Sequence, residues 1–551
     1  MRCVLFAMSA FAAFQATAQP VLPSAADPGA AQQRQIDEER RRREAERERK
    51  EILEPIRRVA PEKKPETKPA AEVVRFLVRE IEFSASEILS REELENIARD
   101  FRGRELSLAD LQQLADRVNA LYRTKNVVTA IAVIPPQDVS QGVVRVRLVE
   151  GRVGRIGLKG NESTQAGFIT DRLRLKPTDL VDLDRLEGAM LRFNRTHDVQ
   201  LRANLMPGTE FATTDLQIEV VEPPRHELRL QLDNFGSPTT GRWRKTALYL
   251  NRSLFGYRDD LYVSHSEATG QSSQAISYGV PVNTWGGRLS LAYNHDKTAI
   301  RHGPLRTLNI TGRAEGAGLT LRQPTYVSRN AQLDVVAGVR KRYSKNWIDS
   351  VFLRRVDVRD NSIGLELQAF DEKNYWLASY IRYSTEATIT RSTSMTIDRG
   401  TLRYNRDLGS GLSFRGSFNW QSTGERQLPS SELFMIGGEG SVRGYTVGAF
   451  SGDTGGTLNL ELHHPVWKGS LGGHELAMTG FFFLDHGYAV PLRPPGSVLP
   501  AKERLTGAGW GAHATVGKHI YGRLVFGYGR NEEPQSPRHY EVHFQLVASV
   551  F

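Results

Sequence analysis

The chain has 551 residues, a formal net charge of +10, a quarter of its residues charged, and one cysteine, Cys3. Acidic and basic residues are interspersed, which gives no nucleic-acid footprint, and a single cysteine excludes a disulfide framework. No stretch reaches the roughly 18 consecutive apolar residues of a spanning helix, so a helical membrane protein is excluded as well.

Arg2 precedes an apolar run from Val4 to Phe14, and Ala16-Thr17-Ala18 offers a small-x-small cleavage site before Gln19. Residues 1–18 therefore read as a signal peptide that carries Cys3 away and sends the chain out of the cytoplasm. Region 19–54 contains "GAAQQRQIDEERRRREAERERKEILE" (29–54), where Glu38 to Arg42, Glu39 to Arg43 and Glu46 to Lys50 have helix-supporting i,i+4 spacing. A helix so polar all round needs water or a wet cavity, and on residues alone a solvated, fraying helix is the favoured reading. Residues 55–72, rich in Pro, Lys and Glu without apolar period, read as an extended linker.

Two copies of one small α+β unit follow. In 73–151, "RFLVREIEF" is strand-like, Ser90 and Glu93 form a capping-box pattern, "SLADLQQLADRVNALYRTK" has helical period, and "VVTAIAVIP" and "GVVRVRLVE" read as strands. In 152–224 the order recurs with "RVGRIGLKG", helices near 165–176 and 182–196, then "VQLRANLMP" and "TTDLQIEVVE". Their edge strands could accept a strand from an extended guest.

From 225 to 551 helical period disappears. In "HELRLQLD", Leu228, Leu230 and Leu232 alternate with Arg229, Gln231 and Asp233, which suits a soluble sandwich or a wet-lumened transmembrane barrel. Roughly 20 residues per strand plus connection gives about 16 antiparallel strands, enough for a pore. "GSPTTG" (236–241) and "RRVDVRD" (354–360) read as polar loop tips. The final strand puts Tyr540, Val542, Phe544, Leu546, Ala548 and Val550 in one phase and Phe551 out of it.

No catalytic, cofactor or metal motif survives inspection. Gly438-x-Gly440 is followed by Gly444, one position too late for a dinucleotide loop, and Met478 stands where a zinc helix starting at His474-Glu475 needs its second histidine. His463 and His464 fall on opposite faces of a strand. The segment 424–456 is the longest connection between strands, with Val442-Arg443-Gly444-Tyr445 at its middle. A loop folded into a lumen would use glycines for tight turns and one arginine as a charge-assisted clamp. Asp485 in "GFFFLDHGYA" is a candidate acceptor, on a strand where Phe481 and Phe483 share its face and Phe482 and Leu484 share the other. That spacing promises no clean lumen/lipid alternation, and an ordinary strand-end aspartate before Gly487 is the plainer reading.

"VVTAIAVIPPQDVSQGVVRVRLVEGRV", "VQLRANLMPGTEFATTDLQIEV", "LDNFGSPTTGR", "GGEGSVRGY" and "FLDHG" together resemble the outer-membrane transporters of two-partner secretion, the TpsB family of filamentous haemagglutinin transporters and haemolysin secretion/activation proteins. The resemblance implies a 16-stranded transmembrane β-barrel preceded by two α+β POTRA domains and a periplasmic helix that can plug the pore. It implies a long loop whose tip (Val442, Arg443, Gly444, Tyr445) is held by the wall motif Phe483, Asp485 and Gly487. The expected partner is an unfolded, β-rich secreted exoprotein of TpsA type (adhesin, haemolysin or contact-dependent toxin), captured by POTRA edges and moved without ATP by a lipid-embedded monomer that needs no cofactor and is no enzyme. The alternative is a barrel-assembly factor, which shares the loop motif but carries more POTRA domains.

Overall fold

The computed structural model of this chain describes residues 27–34, 36, 38, 56–57, 75–125, 127, 129–425, 427–492, 502–530 and 539–551. The expected signal peptide, the charge-dense part of the helix after residue 38 and most of the linker lie outside the described residues.

Helix α1 occupies 28–34 and is helical again at 36 and 38; β1 is Ile56–Arg57. The first small unit runs β2 (Phe76–Val78), β3 (Glu80–Phe83), α2 (Arg91–Arg99), β4 (Arg104–Leu106), α3 (Leu108–Thr124), β5 (Ile131–Val133) and β6 (Val143–Val149). Full capping boxes, Ser90 with Glu93 and Ser107 with Asp110, start its two helices by satisfying orphan N–H groups. Strand order is β3-β6-β5, with Leu114, Val118 and Tyr122 of α3 packed on Val144 and Val146. The second unit repeats the plan with β7 (Arg152–Lys159), α4 (Ala166–Leu173), α5 (Leu183–Thr196), β8 (Gln200–Pro207) and β9 (Thr213–Val221) around a separate core.

The linker is not merely a tether. β1 pairs in parallel with β8, Ile56 opposite Ala203 and Arg57 opposite Asn204, so the sheet reads β1-β8-β9-β7. A two-residue strand among prolines and charges has no period to betray it, and the open backbone edge of β8 supplies the partner.

His197, at the C-terminal cap of α5, is buried between Phe193 (ring centroids 4.5 Å apart, stacked) and Phe168 (5.4 Å, edge-on). Burial first, then the nearby Arg172 guanidinium, push its imidazole down to about 3. With the unfolded value near 6.5, the neutral ring's contribution is complete above about pH 6.5 and is lost as pH falls toward 3. His197→Phe should therefore flatten the acid loss of the second unit's stability in urea titrations between about pH 6.5 and 4; an unchanged slope would contradict this reading.

The rest is a closed antiparallel barrel of 16 strands. Its first half is β10 (His226–Asp233), β11 (Arg244–Asn251), β12 (Asp260–Ala268), β13 (Gln271–Pro281), β14 (Arg288–Ala299), β15 (Ile310–Val327), β16 (Ala331–Ile348) and β17 (Val351–Phe370). Next come β18 (Asn374–Thr388), β19 (Ser392–Gly409) and β20 (Leu412–Thr423), then a loop holding β21 (Phe434–Ile436) and β22 (Phe450–Gly452). The wall resumes with β23 (Thr454–Leu471), β24 (His474–Val490), β25 (Glu503–Val516), β26 (Ile520–Gly529) and β27 (Tyr540–Ser549), and β27 closes onto β10.

Two expectations need correction. "RRVDVRD" is no loop tip but part of the 20-residue strand β17; β15 to β19 run 15 to 20 residues, longer than the roughly 9–11 a bilayer span needs, so polar residues remain in strand. The loop begins at 424 as expected, β20 ending at Thr423, but it closes three residues earlier than 456 because β23 starts at Thr454.

The second unit is bolted to one end of the barrel. Gln165 N–H donates to the Gly256 carbonyl (2.9 Å), buried Arg258 pairs with Asp198, and Trp285 lies under the Arg192 guanidinium (3.8 Å). The turns after β11 and β13 thus lie at the end of the barrel that carries the second unit. Between this unit and the wall opens a cavity of about 2050 Å³ bordered by Arg195, Arg288, Arg322 and Ser362.

Candidate functional site

The loop after β20 does not lie over the barrel; it folds inside. β21 and β22 form a small hairpin, Phe434 opposite Gly452 and Ile436 opposite Phe450. Gly437 and Gly444 sit at φ 102° and 94°, left-handed angles that L side chains rarely adopt. They carry the chain through the turns that deliver Val442, Arg443 and Tyr445 to the wall, each at most 2% exposed.

Arg443 meets Asp485 three times. Its backbone N–H and Nε donate to Oδ2 (3.0 and 2.7 Å), and Nη2 donates to Oδ1 (2.8 Å). Asn459 Nδ2 donates to the same Oδ1 (2.9 Å), Glu461 pairs with Nη1, and the guanidinium rests 3.7 Å from the Phe483 ring centroid. Charge-assisted, bidentate bonds of this kind are the strong class, and in a buried setting losing either partner strands a charge. Tyr445 Oη donates to the Thr506 carbonyl (3.0 Å), and Arg523 ties Glu439 of the loop to the wall.

The strand of Asp485 alternates cleanly after all, contrary to expectation. Phe481, Phe483 and Asp485 are buried toward the lumen, while Phe482 and Leu484 are 70% and 50% exposed on the outside. Apolar phenylalanines can face the lumen here because Arg443 covers Phe483 (3.7 Å) and His463 stacks on Phe481 (4.8 Å), leaving little of either ring to water.

Residues the sequence did not single out complete the seat. A Cβ on Gly507 would lie 1.9 Å from the Arg443 carbonyl oxygen, one on Gly527 2.6 Å from Gly444 N, and one on Gly529 2.7 Å from the Tyr445 ring. Gly487, already named in the wall motif, joins them, its Cβ position 2.7 Å from a Val442 methyl. Strands β24, β25 and β26 thus present a glycine cleft that only a bare backbone can form. The signal was present in "GAGWGAH" and "GYGR", but it becomes legible only when the register is known. Gly507→Ala should push the tip off the wall and make the loop trypsin-sensitive from outside intact cells, with the barrel still inserted; retained protection would contradict the fit.

Helix α1 shares the lumen, so its described residues are not solvated and fraying. Asp27 caps it, accepting from Gly29 and Ala30 N–H groups (2.8 and 3.1 Å) while pairing with Arg354 of the wall (3.2 Å). Gln33 Oε1 accepts from Arg342 Nη1 (2.9 Å). Glu38 pairs with Arg244 (3.1 Å), and Arg34 reaches Met435 Sδ in the loop (3.5 Å). Arg342 also pairs with Glu432 of that loop. Helix, loop and wall therefore form one polar network, and a polar-all-round helix suits it because a wet lumen offers polar partners on every side.

The family model described as haemolysin secretion/activation protein ShlB/FhaC/HecB matches residues 212–514, and a POTRA domain of ShlB type matches 76–151. The heme/hemopexin transporter protein HuxB of Haemophilus influenzae (strain 86-028NP) is 23% identical over 418 residues, 72% of this chain and 73% of that protein. The outer membrane transporter CdiB of Dickeya dadantii (strain 3937) is 24% identical over 417 residues, 71% of this chain and 73% of that one. The solved structure of CdiB from Escherichia coli superposes with a TM-score of 0.66 at 20% identity, covering 96% of this chain and all of that one.

Proposed function

The chain belongs to the ShlB/FhaC/HecB haemolysin secretion/activation family, and from that premise we propose how its parts divide the work of secretion. It is an outer-membrane transporter of two-partner secretion, its POTRA region in the periplasm. Residues 1–18 direct export, 19–54 plug the pore, and 55–72 link the plug to receiving units at 73–151 and 152–224. The barrel, 225–551, then passes an unfolded exoprotein of adhesin, haemolysin or toxin type as a monomer, with no cofactor and no chemical step. Arg443 with Val442, Gly444 and Tyr445 clamps the inward loop to Phe483, Asp485 and Gly487.

The observation that carries this reading is the docked second unit opening directly onto the cavity of about 2050 Å³ inside the barrel. Capture starts at the edge of β5, where Ile131 and Val133 are 50% and 38% exposed. Asn119 of α3 there holds the Ala132 N–H (2.7 Å), a donor that an added strand would take over. Ile131→Glu/Val133→Glu in the full-length protein should weaken binding of the exoprotein's N-terminal fragment by about tenfold, two buried apolar contacts being worth at least ~1.4 kcal/mol. Unchanged affinity would move capture elsewhere.

A further inference from the structure

The outer wall carries a charge pattern that neither the clamp nor the plug uses. The register places Lys297 of β14 opposite Arg313 of β15, Arg313 opposite Lys345 of β16, and Lys345 opposite Arg355 of β17. Four cations stand side by side across four neighbouring strands. A second, shorter row joins Lys341 to Arg359. Their strand neighbours Asp296, Thr298, Ala314, Ser344 and Asn346 are buried toward the lumen, so the cations face outward, and all but Lys345 are exposed.

Like charges directly opposite one another on a sheet are destabilising, and local acids answer them only in part. Asp357 is engaged by Arg355 (2.7 Å), and Glu315 by His295 and Tyr293 (3.4 and 3.3 Å). Glu386 stands opposite Arg359 in the register. Among the described residues no ion pair joins Lys297, Lys341, Lys345 or Arg359 to an acid.

Height decides what covers them. Leu291, Leu319 and Val339 form an exposed apolar row in register below the cations, with Tyr293 and Tyr343 between. Lys341 lies two residues past Val339, about 7 Å along the strand, and Lys297 six past Leu291, about 20 Å. With the usual barrel tilt, the cations span the zone just above the hydrocarbon. They are on the side away from the docked second unit, toward the turn at Asp349 and Ser350.

We propose that this outward face of β14 to β17 binds the phosphate groups of lipid headgroups in the extracellular leaflet. Phosphate matches guanidinium and ammonium donors, and continuity with the apolar row and tyrosine rim fits a ligand whose acyl chains lie below its phosphates. The same strands hold Asp27 and Gln33 of the plug on their inner face through Arg354 and Arg342, so a bound headgroup brackets the wall that grips the helix.

The test uses full-length protein in dodecylmaltoside micelles, titrated with diphosphorylated lipid A and with the same lipid after dephosphorylation, with inorganic phosphate as competitor. The native chain should prefer the phosphorylated lipid, and inorganic phosphate should not displace it. Lys297→Gln/Arg313→Gln/Lys345→Gln/Arg355→Gln should bind it about a hundredfold more weakly, while keeping the heat-modifiable migration of a folded barrel. Should that variant not fold, Lys341→Gln/Arg359→Gln should lose about tenfold, and Lys297→Arg/Lys345→Arg should keep native affinity. Equal binding by the folded Gln variants, indifference to lipid phosphorylation, or displacement by inorganic phosphate would each overturn the proposal.

Discussion

Deleting residues 19–54 should raise single-channel conductance in planar bilayers several-fold. Helix α1 stands in the lumen with Asp27, Gln33 and Glu38 bonded to wall arginines and Gly29 pressed on the loop, its Cβ position 3.0 Å from Ser431. Space it vacates becomes water. The wall itself stays, because all 16 strands close through their own ladders, with no part of the ladder supplied by the helix. The grip is moderate: a few charge-assisted bonds in a wet lumen, each about 1.5–3 kcal/mol at most, hold a helix in place yet let a transporter release it. Unchanged conductance would show that something other than this helix closes the pore.

Arg443→Ala should abolish secretion while leaving the barrel inserted. The substitution leaves Asp485, fully buried, without the guanidinium that neutralises it, a change that typically costs about 3–5 kcal/mol. Because the loop tip is held by that clamp, by Tyr445 and by the glycine cleft, the cost falls on the loop's position rather than on the barrel ladder. A double variant, Arg443→Ala/Asp485→Ala, removes the stranded charge and should recover heat resistance without recovering secretion. That split separates a folding effect from a working one. Normal secretion by Arg443→Ala would remove the clamp from the mechanism.

The sequence disclosed much of the architecture because two periodicities are robust. Helical spacing and capping boxes exposed the small units, and alternation such as that of Leu228, Leu230 and Leu232 exposed barrel strands. What stayed hidden depends on register. Gly507, Gly527 and Gly529 are three glycines among 49 until β25 and β26 place them under the loop tip. "RRVDVRD" looks like a loop because a strand that leaves the membrane loses its apolar face. β1 is two residues long and exists only because β8 has an open edge. Asp485, 42 residues from Arg443, stood in the sequence only as a candidate acceptor beside the plainer reading of a strand-end aspartate, and it was the family motif that pointed to the pair.

Cargo passes through this lumen. Ser362 borders the inner cavity, and its neighbour Ile363, 63% exposed, faces outward. With a photo-activated cross-linker placed at each position during secretion, the exoprotein should be trapped from position 362 and not from 363. Secretion that proceeds with no cross-link at 362, or with equal cross-linking at 363, would contradict passage through the barrel.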